Sequence, residues 1–196
     1  MSADRGYHHG DLRAALISAS FDQLADQGLQ RFSVAAVARR LGVSSAAPYR
    51  HFPDRDHLLG AVSAAAARDL RTEILEAAGA AGTDPADRLA AVAGAYLRYV
   101  AQTGAGFHVI YAAELRALPD EERRAHTRAL MATLLDLASA AGADTYPVAV
   151  PLVEGTMAVA HGYWSLYADG FFPRRPGAVD EIATRAVAAA RALVMP

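Results

Sequence analysis

The chain has 196 residues, 53% of them hydrophobic, and a formal net charge of −2; it can bury a sizeable core and is not a disordered segment. It contains no cysteine, which excludes a disulfide framework, a thiol nucleophile and a cysteine metal site. The charge is uneven: residues 1–55 carry seven Arg against five Asp, so the positive balance sits at the front of the chain.

The opening residues MSADRGYHHGD show no apolar run of a secretory signal and read as an arm. Asp11 to Asp26 reads as a first helix, with Leu12, Leu16, Ala19, Phe21 and Leu24 on its apolar side and Gly28 closing it. Ser33 stands where an N-cap is wanted, its hydroxyl expected to accept from a first-turn N–H, and Val34, Val37, Ala38 and Leu41 follow at helical spacing. Gly42 ends that helix in a left-handed conformation, Val43 pins the turn, and Ser44 is placed to cap a third helix. Asp54 caps a fourth, from Arg55 through Leu58, Leu59, Val62, Leu70, Ile74 and Leu75 toward Gly79, long enough to belong to two modules.

Beyond a turn at Gly79 to Asp84, Asp84-Pro85 starts a helix carrying Leu89, Val92, Tyr96, Leu97, Tyr99 and Val100. Phe107 to Leu118 reads as a short helix. Pro119 with Asp120, Glu121 and Glu122 is a strong helix N-terminus leading to Gly142, because acids favour the positive end of the dipole. Pro147 to Asp169 and Val179 to Val194 complete an all-α chain of about nine helices. The run Pro147 to Ala168 is apolar enough to test as a membrane span, but Glu154 and His161 would be costly in lipid, so a buried helix and no membrane are expected.

Two short helices around a Gly turn, with a third starting behind them, form the grammar of a helix-turn-helix DNA reader. Ser45, Ala46 and Ala47 are small enough for a helix N-terminus to approach base edges, and Tyr49, Arg50 and His51 add donors and charge beside them. Pro48 lacks an N–H and is expected to cost a first-turn hydrogen bond or shift the helix start.

In this stretch Phe32, Ser33, Val37, Ala38, Leu41, Gly42, Val43, Ser44, Tyr49, His51, Phe52, Arg55 and Leu58 occur in the order of the N-terminal signature of the TetR family of bacterial transcriptional regulators, which the chain resembles. YHHGDLR, APYRHF and AVAHGYWSLYADG resemble segments of one large subgroup. The resemblance implies an all-helical homodimer, with an arm and reader over residues 1–55 and an effector-binding and dimerisation domain over 56–196. It implies phosphate or backbone contacts from Ser33, Tyr49, His51 and Arg55, and base-facing positions at Ser45, Ala46, Ala47 and Arg50, with Ser44 at the helix cap beside them. Ala35 and Ala36 stand where some members carry Arg or Thr, so the helix after Ser33 is expected to read no bases; Arg5 and His8 of the arm are candidates for phosphate or the minor groove.

Tyr96, Tyr99, Phe107, His108, Tyr111, Met131, Leu134, Met157, His161 and Trp164 are the pocket candidates for a small, largely apolar effector. Glu154 and His161 lie two turns apart, about 10.5 Å along a helix, too far to share one metal ion easily. No P-loop, dinucleotide fingerprint, GxSxG elbow or zincin helix occurs, so no cofactor and no enzyme activity are expected. The leading expectation is a cytoplasmic repressor on an inverted-repeat DNA operator, released by a small-molecule effector. The alternatives are a helical small-molecule-binding enzyme and an interaction module without DNA affinity. A homodimer is expected through the last two long helices, where Ala158, Ala160, Gly162, Ala186, Ala188, Ala189 and Ala190 allow close approach and Leu152, Val187 and Leu193 add apolar area.

Overall fold

A computed structural model describes residues 9–143 and 145–194, with side chains from residue 12 onward; the arm with Arg5 and His8 lies outside the described residues. Among these are eight α-helices and no strand: α1 (His9–Gln27), α2 (Val34–Arg40), α3 (Arg55–Ala80), α4 (Pro85–Thr103), α5 (Phe107–Ile110), α6 (Glu121–Ala140), α7 (Tyr146–Ala168) and α8 (Ala178–Ala192). Three short 3-10 turns, Leu29–Arg31, Pro48–Arg50 and Ala113–Leu115, lie between them.

The caps explain most boundaries. Asp54 accepts from the His57 N–H at 2.9 Å, Asp84 from the Ala86 N–H at 2.9 Å and Asp120 from the Arg123 N–H at 2.9 Å, each satisfying an orphan first-turn donor. Asp54 also pairs with the His57 ring at 2.8 Å, and these bonds hold its carboxyl below the usual carboxylate range. Gly42 takes φ +68°, with the Val43 N–H bonded to the Ala38 carbonyl and the Gly42 N–H to the Arg39 carbonyl, a complete Schellman end for α2.

Four expectations about the helices and their caps are corrected. Ser33 occupies the N-cap with extended backbone, but its side chain makes no cap bond; Gln23, 2% exposed, accepts from the Ser33 N–H at 3.4 Å and donates to the Arg31 carbonyl at 3.2 Å. The third helix is not an α-helix: residues 45–47 are turn and bend, followed by the 3-10 turn Pro48–Arg50. Phe107 to Leu118 divides into α5 and the 3-10 turn Ala113–Leu115, because Ala112 adopts an extended ψ of 130° between them. Finally, α7 is not a buried helix: only Ala149, Val153, Thr156 and Ala160 are buried, while Tyr146, Val148 and Leu166 are exposed. Among the described residues no helix is long and apolar enough to cross a membrane.

One continuous cluster of buried side chains runs from Leu16 and Leu24 of α1 through α3 and α4 to Ile182 and Ala186 of α8. Ala160, Ala186 and Ala190, expected to face a second copy, are instead fully buried within this chain. In α3 the buried run Gly60, Val62, Ser63, Ala64, Ala65, Ala66 and Ala67 has mostly short side chains, so neighbouring helices approach its backbone closely, and the Ser63 hydroxyl donates to the Ile110 carbonyl at 2.9 Å. At the other junction Gly104 ends α4 with φ +63°, and a Cβ there would lie 2.4 Å from the Ala25 nitrogen and 2.5 Å from the Leu24 carbonyl carbon.

These two glycines separate two costs. Gly42→Ala meets nothing within 4 Å and is expected to lose only the left-handed penalty, about 1 to 2 kcal/mol. Gly104→Ala adds overpacking against backbone that cannot rotate away, and is expected to lose about 3 kcal/mol or more. Urea unfolding of the two variants measures the difference, and equal losses would contradict the backbone contact between α1 and α4.

Candidate nucleic-acid interface and ligand cluster

The reader is built on the turn after α2. The missing N–H of Pro48 leaves the Ser44 carbonyl to accept from Ala47 at 3.0 Å, and the Ala47 carbonyl then accepts from Arg50 at 3.2 Å. The Pro48 carbonyl takes both the His51 and Phe52 N–H groups, at 2.9 and 3.0 Å. Pro48 itself is buried, so its ring fills the core position that an aliphatic side chain would take while its backbone tightens the winding. The expectation of a lost first-turn bond is met, and the consequence extends to the hydrogen-bond pattern of the whole segment.

Ser44, Ser45, Ala46, Tyr49 and Arg50 are exposed on this segment, Tyr49 at 54%, and Ser33, Ala47 and His51 are half-buried beside them. A hollow of about 400 Å³ lies between α2 and the turn, lined by Ala35, Ala38, Arg39, Gly42, Val43 and Ser45. Small side chains make this hollow, and Arg39 stands at its edge. Arg39, exposed in the last turn of α2, is not among the residues the resemblance points to; its place off the apolar spacing of Val34, Val37, Ala38 and Leu41 is the sequence signal for a solvent-facing Arg beside the Gly turn. Arg39 and Arg50 have no acidic partner among the described residues, whereas Arg40 is paired with Asp26.

Arg55 is placed differently from the other resemblance-derived contacts. Its Nε donates to the Phe32 carbonyl at 3.3 Å, one terminal nitrogen pairs with Asp56 at 3.0 Å, and the other pairs with Glu114 at 3.2 Å. The guanidinium also lies 5.6 Å from the Phe32 ring centroid. A phosphate would have to displace one of these carboxylates, so the geometry makes Arg55 a clamp between the reader and the turn that follows α5.

On the other side of the chain the ligand candidates divide. Tyr96 is fully buried, its hydroxyl oxygen accepts from the Phe107 N–H at 3.3 Å, and it lies 2.9 Å from His161 Nδ1. Burial pushes its phenol up to about 12. Phe107 stacks on Tyr96 with ring centroids 4.8 Å apart, and Tyr111 lies 5.7 Å beyond Phe107. His108, exposed at its edge, and half-buried Trp164 share a cleft beside Gly104, and partial desolvation of the ring together with the neighbouring His161 lowers the His108 pKa. Tyr99 instead faces the Asp69 side, where burial and that acid raise its pKa; Leu134 is buried in the core, Met157 is half-buried, and Met131 is on the surface. Glu154 is exposed, which removes the need for a buried partner to its charge. No group of three or more His, Asp or Glu suited to a metal occurs among the described residues.

This arrangement matches known proteins along both parts of the chain. Residues 16–62 match the model of bacterial regulatory proteins of the tetR family, and residues 89–190 match the tetracyclin repressor-like C-terminal domain. The HTH-type transcriptional regulator BetI of Stenotrophomonas maltophilia (strain R551-3) is 34% identical over 80 residues, a match spanning 41% of this chain and 41% of that protein. A protein of unknown function from Rhodococcus sp. RHA1 superposes with a TM-score of 0.73 at 28% identity, over 96% of this chain and 98% of that one. A tetR-family transcriptional regulator from Streptomyces coelicolor shares the fold with a TM-score of 0.67 at 23% identity, over 95% of this chain and 82% of that one. With one match on the helix-turn-helix segment and the other spanning more than half the chain, the protein belongs to the tetR family of bacterial transcriptional regulators.

Proposed function

We propose that this protein is a sequence-specific repressor that binds an inverted-repeat operator as a homodimer and leaves it when a small, largely apolar effector binds. The reading divides the chain into a DNA-binding part over residues 1–55 and an effector and dimerisation part over 56–196, and places the protein in the cytoplasm. The single observation that carries it is the exposed segment Ser44 to Arg50 beside the hollow of α2, where small residues stand in front and an unpaired guanidinium behind. A regulator, rather than an enzyme or a module without DNA affinity, accounts for that surface.

Ser45, Ala46, Ala47 and Arg50 face bases, Ser44 shapes the start of the segment, and Ser33, Tyr49, His51 and Arg39 hold phosphates. Arg55 acts by positioning Phe32 and the start of α2. The exposed apolar residues Tyr146, Val148, Leu166, Phe171 and Leu193 support pairing of two copies through α7, α8 and the turn between them, with Ala158 and Ala188 as the exposed small positions. Two readers so joined engage half-sites about 34 to 36 Å apart, and an effector acts by favouring another spacing.

Arg50→Ala is expected to lose about 1 to 3 kcal/mol of preference for operator over scrambled duplex, read by fluorescence anisotropy. Equal affinity of the unmutated protein for both duplexes at physiological salt would refute the repressor reading. Arg39→Ala is expected to weaken both duplexes alike and to lower the slope of log K against log salt by about one. In sedimentation the chain is expected to be a dimer at micromolar concentration, and Leu166→Glu to shift it toward monomer; a monomeric unmutated chain would contradict the pairing surface.

A further inference from the structure

The reader and the ligand-bearing helices meet where Gly104 rests on α1. Their backbones touch there without a side chain between them, since a Cβ on Gly104 would fall within 2.6 Å of the Ala25 Cα. Beside that contact lies a cleft of about 230 Å³, walled by Leu24 and Ala25 of α1, Val100 and Gly104 of α4, His108 of α5 and Trp164 of α7. We propose that this cleft binds a small neutral molecule made of one hydrocarbon ring and one hydroxyl group. The proposal deepens the reading of the chain as an effector-responsive regulator and rests on it.

The chemistry of the walls selects that class. An apolar cavity of about 150 Å³ is enough to hold benzene, so the cleft has room for a ring and a substituent. Leu24 and Val100 are buried aliphatic walls, Trp164 offers a flat face, and Ala and Gly positions supply the space. No lining residue is Asp, Glu or Arg, so an ionic ligand would lose hydration without gaining a partner. His108 is the one imidazole in the lining; its neutral ring turns its N–H to the Gly104 carbonyl and leaves the other ring nitrogen to accept from a hydroxyl group. The lowered pKa of His108 agrees with that neutral form.

The position gives the ligand its leverage. A molecule here touches α1 and the α4, α5 and α7 side at once, so its contacts change whenever the reader moves on Gly104. Binding therefore differs in strength between reader orientations, which is the requirement for coupling to DNA. The larger hollow of about 460 Å³ between α1 and α3 lacks this character: Arg13, Arg68, Asp69 and Glu122 line it with charges of both signs.

Trp164 is the only tryptophan of the chain, so its emission reports on the cleft directly. The full chain is titrated with cyclohexanol, cyclohexanecarboxylate and cyclohexylammonium, while binding to a duplex selected from random sequence is followed in parallel. Cyclohexanol is expected to give a saturable change in Trp164 emission and to lower duplex affinity, with the two charged probes weaker by about tenfold or more. Ala101→Leu, which adds volume at the cleft wall, is expected to weaken cyclohexanol by about tenfold while duplex affinity without probe stays unchanged. Ala25→Leu, reaching in from α1, is the second variant should the first fail to fold. The absence of a saturable change in the unmutated chain, or one that survives a folded filling variant, would overturn the site. Failure of the unmutated chain to bind any selected duplex would overturn the regulator reading instead.

Discussion

The small-residue face of α3 is the constraint on which the rest of the structure depends. The helix runs 26 residues from Arg55 to Ala80, about 39 Å, with its first turns under the reader and its last turns in the C-terminal part. Between Gly60 and Ala67 its buried side chains are mostly small, so helices on either side rest near the backbone itself. Close-packed contacts of this kind have little slack, and a shift of the rod is passed to whatever touches it. A side chain at Gly60 would crowd the segment before α6, since a Cβ there would lie 2.9 Å from Leu118 Cδ2 and 3.0 Å from Asp120 Oδ2.

Four polar bonds bind the segment 107–115 to its neighbours. Ser63 of α3 holds the Ile110 carbonyl, Arg123 of α6 donates to the Leu115 carbonyl at 2.8 Å, and Glu114 between them reaches Arg55. The same segment begins at Phe107, stacked on Tyr96 and bonded to its hydroxyl. One short stretch of chain therefore has the aromatic cluster at one end and the base of the reader at the other. The clamp at Arg55 fixes the Phe32 carbonyl just ahead of α2, so the reader's entry angle is set partly by Glu114, a residue of the C-terminal part.

What was legible in the sequence was local. Gly42 dictates its own left-handed end, and the acids Asp54, Asp84 and Asp120 cap helices within three residues of themselves. The fates of Ser33 and Arg55 were not legible, since Gln23 lies ten residues before the one and Glu114 fifty-nine after the other. Pro48 announced a lost bond, but which neighbouring carbonyl would take up the slack depends on packing of the buried ring. The exposure of α7 was hidden for a different reason: an apolar run looks the same whether its own chain or a second copy covers it. The ligand candidates formed one set by composition, and only the crossing of α4, α5 and α7 divides Tyr96 and His161 from Tyr99.

The winding at Pro48 changes the reach of the reader. Three residues of 3-10 turn advance about 6 Å where an α-helix advances about 4.5 Å, and side chains three apart are brought into line. Arg50 is thereby carried roughly half a base-pair step farther from the Gly turn than it would be on a regular helix, with Ala47 directly behind it. A chain with the same exposed residues but no proline at this position would hold them about 1.5 Å closer to its Gly turn, at another spacing along whatever surface they meet.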